Sequence, residues 1–366
     1  MNSPGRRRSA GRVRTIALGV LLALAVAVLV FGFRARTGAG RVVANFGTGA
    51  CTIVPAPAGP GDAELDGPTD TLFVSALDRR DPEARGELWS WALADPQAGL
   101  EPVARDGPAR FRPQGLSLAR TGAGLFAWVV NHPGDRPAIE GFALRRVEGA
   151  WRARHLVTVT GAALVSPNDV AAVDDRRFYV SNDHGTPGGL ARITEDLLGL
   201  DLANVLFFDG ERFLEAVGGL SRANGVLLAR GGTELAVAEV FRRGITFHDR
   251  EPVSGHLEPR LLLDLDSGVD HLSRARDGSI WAAAHPRLLA LAAHARNPEA
   301  GSPTEVIRIR RTGDGAVAER VLGDDGGLLS GGSVAVPWRD EVVVGALFQP
   351  RLLRCKLATG GAPGNP

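Results

Sequence analysis

The chain has 366 residues, with 42 basic and 41 acidic side chains giving a net charge of +1, so it offers no basic face for nucleic acid beyond its first residues. Its 47 glycines and 23 prolines mark it as rich in turns, while an apolar share of 44% is that of a globular protein and excludes a disordered, low-complexity chain. With only two cysteines it is not a small scaffold that depends on disulfides.

Taken in chain order, the first element is basic and then apolar. "RRRSAGRVR" precedes an uninterrupted apolar run from Ile16 to Phe33, about eighteen residues, long enough to cross the hydrocarbon core as a helix. The arginines before it outnumber Arg34 and Arg36 after it, which keeps the N-terminus cytoplasmic and exports the rest. "FGFRARTGAG" is a poor cleavage site, so a retained signal anchor is expected rather than a cleaved peptide. The reading is a cytoplasmic tail over 1–15, an anchor over 16–33, a linker over 34–50, a globular region over 51–358 and a flexible tail over 359–366. Cys51 and Cys355 sit near the two ends of that region. Either they are buried thiols or, after export into an oxidising space, they form a disulfide.

The globular region repeats. "GPGDAELDGPTDTLFVSALDRR", "RPQGLSLARTGAGLFAWVVNHPGDR", "SPNDVAAVDDRRFYVSNDHGTPG", "RANGVLLARGGTELAVAEVFRRG", "GVDHLSRARDGSIWAAAHPRLL" and "SGGSVAVPWRDEVVVGALFQPR" each read as a small or polar pair, a strand, a turn and a second apolar strand. Their opening residues, Gly61, Gln114, Asn168, Asn224, Asp270 and Gly332, recur at roughly fifty-residue intervals, the period of a propeller rather than of helical repeats. The predicted fold is all-β: a six-bladed β-propeller preceded by a single N-terminal transmembrane helix. "AIEGFALRRV", "ITFHDRE", "TEVIRIRRT" and "LLRCKL" supply outer strands, "ITEDLLGLDLANVLFF" reads as a partly helical insertion, and the segment around Cys51 is expected to join the last blade.

If the first strand of each hairpin is innermost, the polar pairs converge on one mouth of the tunnel. Asn168, Asn224 and Asp270 then form a ring of oxygen donors, with Asp62 and Asp169 beside it, and such a set suits calcium better than zinc. His132, Asp183, His184 and His285 end second strands at the same mouth, and His271 follows Asp270; an imidazole there is a candidate general base. No nucleophile elbow, phosphate loop or zinc-protease motif competes.

"NDVAAVDDRRFYVSNDHG", "VVNHPGD", "ANGVLLARGGTELAVAEV", "VDHL" with "IWAAAHP", and "GSVAVPWRDEVVVGALF" resemble the paraoxonase/arylesterase family, calcium-dependent six-bladed propellers that hydrolyse lactones and aryl esters. The resemblance implies that Asn168, Asn224 and Asp270 hold a catalytic calcium and that Asp62 and Asp169 hold a second, structural one. It also makes His132 one member of a histidine dyad, places Asp183, His184 and His285 in the pocket, and pairs Cys51 with Cys355. The chain departs from the pattern where the family's glutamate ligand becomes Gly61, its other dyad histidine becomes Gln114 and an asparagine ligand becomes His271. The expected function is metal-assisted hydrolysis of a small-molecule ester or lactone outside the cytoplasm, with His132, His184 or His271 activating water. The alternatives are a non-catalytic binding propeller and a gluconolactonase-type sugar lactonase.

Overall fold

The structure is a computed structural model that describes residues 5–95, 97–134 and 136–357. The tail expected over 359–366 lies outside the described residues. Helix α1 (Gly5–Thr37) contains one stretch, Ile16–Thr37, long and apolar enough to cross a membrane. It therefore runs past Phe33 into the expected linker. The helix ends at Gly38, whose φ of 62° is left-handed and whose added Cβ would lie 2.0 Å from the carbonyl oxygen of Pro286. Beyond it, Arg41 clamps Glu305 with two bonds of 3.0 and 2.7 Å, fixing the linker against the globular region.

That region is a ring of six antiparallel sheets, numbered here as blades in chain order. Blade 1 opens with Pro60–Asp66 and Thr71–Ala76, blade 2 with Pro113–Thr121 and Gly124–Asn131, and blade 3 with Pro167–Ala172 and Phe178–Asn182. Blade 4 opens with Ala223–Ala229 and Glu234–Glu239, blade 5 with Gly268–Arg274 and Ile280–His285, and blade 6 with Gly332–Trp338 and Glu341–Ala346. Blade 2 carries a fifth, short strand, Ala104–Arg105, parallel to its outer edge.

Two devices close the ring. The strand Cys51–Pro55 pairs antiparallel with Arg351–Lys356 as the outermost strand of blade 6, and Cys51 and Cys355, directly opposite in that register, form a disulfide. Neighbouring blades are also stitched by side chains that reach the next blade's inner strand: Ser75 Oγ donates to the Gln114 carbonyl at 2.5 Å, Ser181 Oγ to Asn224 at 2.6 Å and Ser333 Oγ to Gly61 at 2.6 Å. Closure joins the first blade to the last, while the outermost strand of each blade remains an edge at the rim. The core lies between blades: Phe73 and Leu88 of blade 1 pack on Leu116, Val129 and Phe142 of blade 2, and Tyr179 and Phe207 of blade 3 pack on Val226 and Leu235 of blade 4. Each such large side chain contributes about 1.5–3 kcal/mol by leaving water.

Two helices interrupt the blades between second and third strands: α2 (Gly189–Leu198) in blade 3 and α3 (Leu288–Arg296) in blade 5. The helical expectation for Ile193–Phe208 holds only to Leu198. Gly199, at φ 61°, caps α2, and Ala203–Phe208 is the third strand of its blade.

Candidate active site at the tunnel mouth

The opening hairpin of every blade slips register at its start: between Pro60 and Asp62, Pro113 and Leu116, Pro167 and Val170, Ala223 and Val226, Val269 and Leu272, and Gly332 and Val334. A bulge bends the strand and re-aims its side chains. Strict alternation would send consecutive residues to opposite faces. With the bulge, both members of the pair Asp270-His271 line one cavity, and Asn168-Asp169 lie one above the other in the tunnel.

The cavity at the mouth has a volume of about 410 Å³. Asn168, Asn224, Asp270 and His271 line it with Gln114 and Arg79, Asp183, His285 and Arg222 stand at its sides, and Leu288 and Leu291 of α3 join Phe241 and Phe348 as an apolar wall. Six of the predicted site residues thus meet in one space. Asp62 and Asp169 lie one layer deeper, lining a second cavity of about 60 Å³. His132 and His184 are close by without lining the main cavity.

The charges are closely paired. His285 Nε2 lies 2.9 Å from Asp270 Oδ2. Burial would raise the Asp270 carboxyl, but that bond and the charges of His271, His285 and Arg79 outweigh it and hold the group below its ordinary value. At the side wall, Asp183 Oδ1 accepts from Ser166 Oγ and lies 2.7 Å from His184 Nδ1, whose Nε2 is 3.1 Å from Asp196 of α2. Against burial, the His184 bond and charge and Arg222 bring Asp183 down to about 2, and the two carboxylates raise His184 above its usual range. Burial lowers His132, which leaves a neutral ring whose Nε2 has no partner. Around His271, burial is overcome by Asp62, Asp169 and Asp270, which push its imidazole up to about 10. An imidazole held so among three carboxylates keeps its proton near neutral pH unless a metal ion displaces it, which suits it poorly to act as a general base. Glu239, another residue near the mouth, accepts from the Ser221 N–H at 2.7 Å and pairs with Arg242 at 3.0 Å, which is a structural role.

Sequence reading did not find Arg79. It leaves the end of blade 1's second strand and folds back, its Nη1 donating to the carbonyls of Gly59, Leu77 and Leu347 at 3.1, 3.4 and 3.3 Å, so it also joins blade 6 to blade 1. Its Nη2 is enclosed, without a partner, and 2.6 Å from where a Cβ on Gly61 would stand. Burial lowers it to about 10, which leaves it a cation near Asp270 and Asp62. Glycine at 61 is what admits it. Asp196 and the α3 wall were also missed. The local signal for that wall was the apolar run Leu288–Ala293 after Pro286.

The mouth offers donors of the kind calcium takes. The Oδ1 atoms of Asn168 and Asn224 are buried and lack any hydrogen-bond partner, a costly state for an acceptor unless something electropositive faces it, and Asp270 adds a carboxylate. Three hard oxygen donors fit one ion of calcium's class. The deeper set differs, because His271 stands with Asp62 and Asp169 and makes it a mixed nitrogen and oxygen group.

Comparison with known proteins matches residues 95–357 to the family described as Arylesterase. The chain belongs to the Arylesterase family. Membership places an arylesterase- or lactonase-type hydrolase on this scaffold. Serum paraoxonase/arylesterase 2 of Gallus gallus is 27% identical over 360 residues, covering 95% of this chain and 100% of the relative. The protein of the same name from Rattus norvegicus is 30% identical over 252 residues, 68% and 70% of the two chains. A gluconolactonase structure from Xanthomonas campestris is 17% identical with a TM-score of 0.52, covering 86% of this chain and 94% of that one, which is a likeness of fold. Gly61, Asp62 and Arg79 of this arylesterase-family chain all precede the family-matched stretch.

Proposed function

We propose that the chain is a membrane-anchored, extracytoplasmic hydrolase of lactones or of aryl and carboxylic esters, acting at the tunnel mouth. The observation that carries this reading is the His285–Asp270 pair at 2.9 Å, set in the same cavity as two unpartnered amide oxygens. With Nε2–H donating to Asp270, the lone pair of His285 lies on Nδ1, which is buried and has no partner. That is the arrangement a general base needs, with a carboxylate fixing the tautomer and a free nitrogen to take a proton from water. Asp183, ionised and fixed by Ser166 and His184, orients the attacking water or the leaving group from the side wall. The α3 wall and Phe348 keep bulk water from the acyl group.

Calcium at Asn168, Asn224 and Asp270 would supply Lewis-acid polarisation of the acyl carbonyl and charge for the oxyanion. The family and this donor set support calcium. The apolar span Ile16–Thr37, with arginines concentrated on its N-terminal side, supports the anchor and its orientation.

The test is turnover of a panel of aryl acetates and lactones by the full chain in detergent, with calcium present and then chelated, beside Asp270→Ala and His285→Ala. Turnover that falls on chelation and in both variants supports the reading. Folded wild-type protein with no turnover in any metal condition sinks it and leaves a binding propeller, the role that Gln114, which takes no proton near neutral pH, would favour.

A further inference from the structure

Beneath the mouth, three ionisable side chains from alternate blades meet across the tunnel: Asp62 of blade 1, Asp169 of blade 3 and His271 of blade 5. All are buried, at 3%, 3% and 1% exposure. His271 Nδ1 lies 3.4 Å from Asp169 Oδ2 and 3.7 Å from Asp62 Oδ1. Both separations exceed the roughly 2.7–2.9 Å of a charge-assisted hydrogen bond, and Nδ1 has no hydrogen-bond partner. The three atoms face one another without bonding.

That spacing has a chemical meaning. Two donors each about 2.0–2.1 Å from a tetrahedral ion stand roughly 3.3–3.5 Å apart. The carboxylates are held in place for the purpose: Asp62 accepts from the N–H groups of Ala63 and Leu116 at 2.8 and 2.6 Å, and Asp169 from those of Val170 and Val226, both at 2.8 Å. These bonds orient both carboxylates, the Ala63 and Val226 N–H groups reaching the oxygens that face His271, as outer-shell bonds orient metal ligands. An all-oxygen group would suit calcium. An imidazole nitrogen, 3.4 Å from Asp169 at the matching separation and 3.7 Å from Asp62 a little beyond it, shifts the preference to an ion of borderline softness.

We propose that Asp62, Asp169 and His271 Nδ1 form a site for a zinc-class divalent ion, so that the position where the family resemblance implies a structural calcium takes a different metal in this chain. The ion joins blades 1, 3 and 5 at the axis of the ring, two carboxylates and a neutral imidazole balance its charge, and it seals the floor of the mouth cavity. The proposal stands independently of the hydrolase reading and of any ion at Asn168, Asn224 and Asp270.

The experiment titrates the metal-free full chain in detergent with zinc chloride, reading stoichiometry and thermal midpoint, and compares wild type with His271→Asn and Asp270→Asn. The expected result is one zinc per chain, a raised midpoint, at least a hundredfold loss of zinc affinity in His271→Asn, and zinc binding retained in Asp270→Asn. Absence of zinc binding by wild type overturns the proposal, as does zinc that survives His271→Asn but is lost in Asp270→Asn. If His271→Asn does not fold, X-ray absorption on the zinc-loaded wild type decides: one imidazole among oxygen donors is required, and an all-oxygen or multiple-histidine shell overturns it. Wild-type protein that binds zinc but turns over no ester or lactone would count against the hydrolase reading alone.

Discussion

His285 and Asp270 join the two strands of blade 5's opening hairpin at the edge of the mouth, with Nε2 and Oδ2 2.9 Å apart. Replacing His285 by alanine removes the proposed base and one of the groups that hold the Asp270 carboxyl below its ordinary value. A carboxyl held low in the folded state is lost as a charge only when pH falls through its folded value, so removing His285 moves that limit upward. His285→Ala is expected to lower kcat by a factor of 10² or more and to shift the acid limb of any residual activity to higher pH. A pH–rate profile with an unmoved acid limb would separate Asp270 from the reaction.

Gly61 and Arg79 are a matched pair, since a Cβ on the first would stand 2.6 Å from Nη2 of the second. Gly61→Glu alone is expected to lower the thermal midpoint by displacing Arg79 from the three carbonyls it bridges. Gly61→Glu with Arg79→Ala removes that conflict and places a carboxylate beside Asn168, Asn224 and Asp270. Calcium titration should then show at least tenfold tighter binding than in wild type, because a carboxylate has been gained and a cation lost. Equal affinity in the two proteins would show that Arg79 does not oppose the ion.

The bond between Cys51 and Cys355 closes a loop of 304 residues. In the chain-entropy treatment a loop of that length adds on the order of 5 kcal/mol to stability. Cys51→Ser with Cys355→Ser, or reduction of the wild type, is expected to lower the thermal midpoint markedly. Hydrogen exchange should rise first in the strand Cys51–Pro55, which pairs on one side only, with Arg351–Lys356.

His248 is fully buried in blade 4, and neither of its ring nitrogens has a hydrogen-bond partner. Burial lowers its pKa to about 4. The unfolded chain therefore binds a proton that the folded chain refuses, and stability falls as pH drops from about 6.5 towards 4. At about 1.4 kcal/mol per unit the loss is on the order of 3 kcal/mol. His248→Leu should flatten the denaturation midpoint across that range while leaving it unchanged or higher above pH 7. An equally steep decline in the variant would place the acid sensitivity elsewhere.

The propeller was legible in the sequence because its repeat is local: a polar pair, two strands and a turn recur in each blade, and Gly61, Gln114, Asn168, Asn224, Asp270 and Gly332 do open the six inner strands. The outer strands Ala138–Val147, Gly244–Arg250 and Thr304–Thr312 fall on stretches chosen for their β-branched and alternating character. What escaped reading depends on distant partners. Arg79 is an ordinary loop arginine until the last blade closes against it, and the tie from His184 to Asp196 exists only because α2 packs back against the end of its blade's second strand. The bulges escaped for another reason. They displace one residue without changing composition, yet they let Asp270 and His271 share a cavity. The helix α3 was hidden because its apolar run of six residues, Leu288–Ala293, is short enough to read as strand.

The strand Cys51–Pro55 completes a blade whose other three strands end at Lys356. During synthesis it leaves the ribosome long before its partner exists. At about 5–20 residues per second, the 304 residues that separate the cysteines take roughly 15–60 s to make. Throughout that interval Cys51 is an exposed thiol on an unpaired strand, available to any oxidant or neighbouring chain. The molecule therefore needs its earliest segment kept reduced and solitary until the last blade arrives, a demand on quality control that a propeller closed by its own final strand would not make.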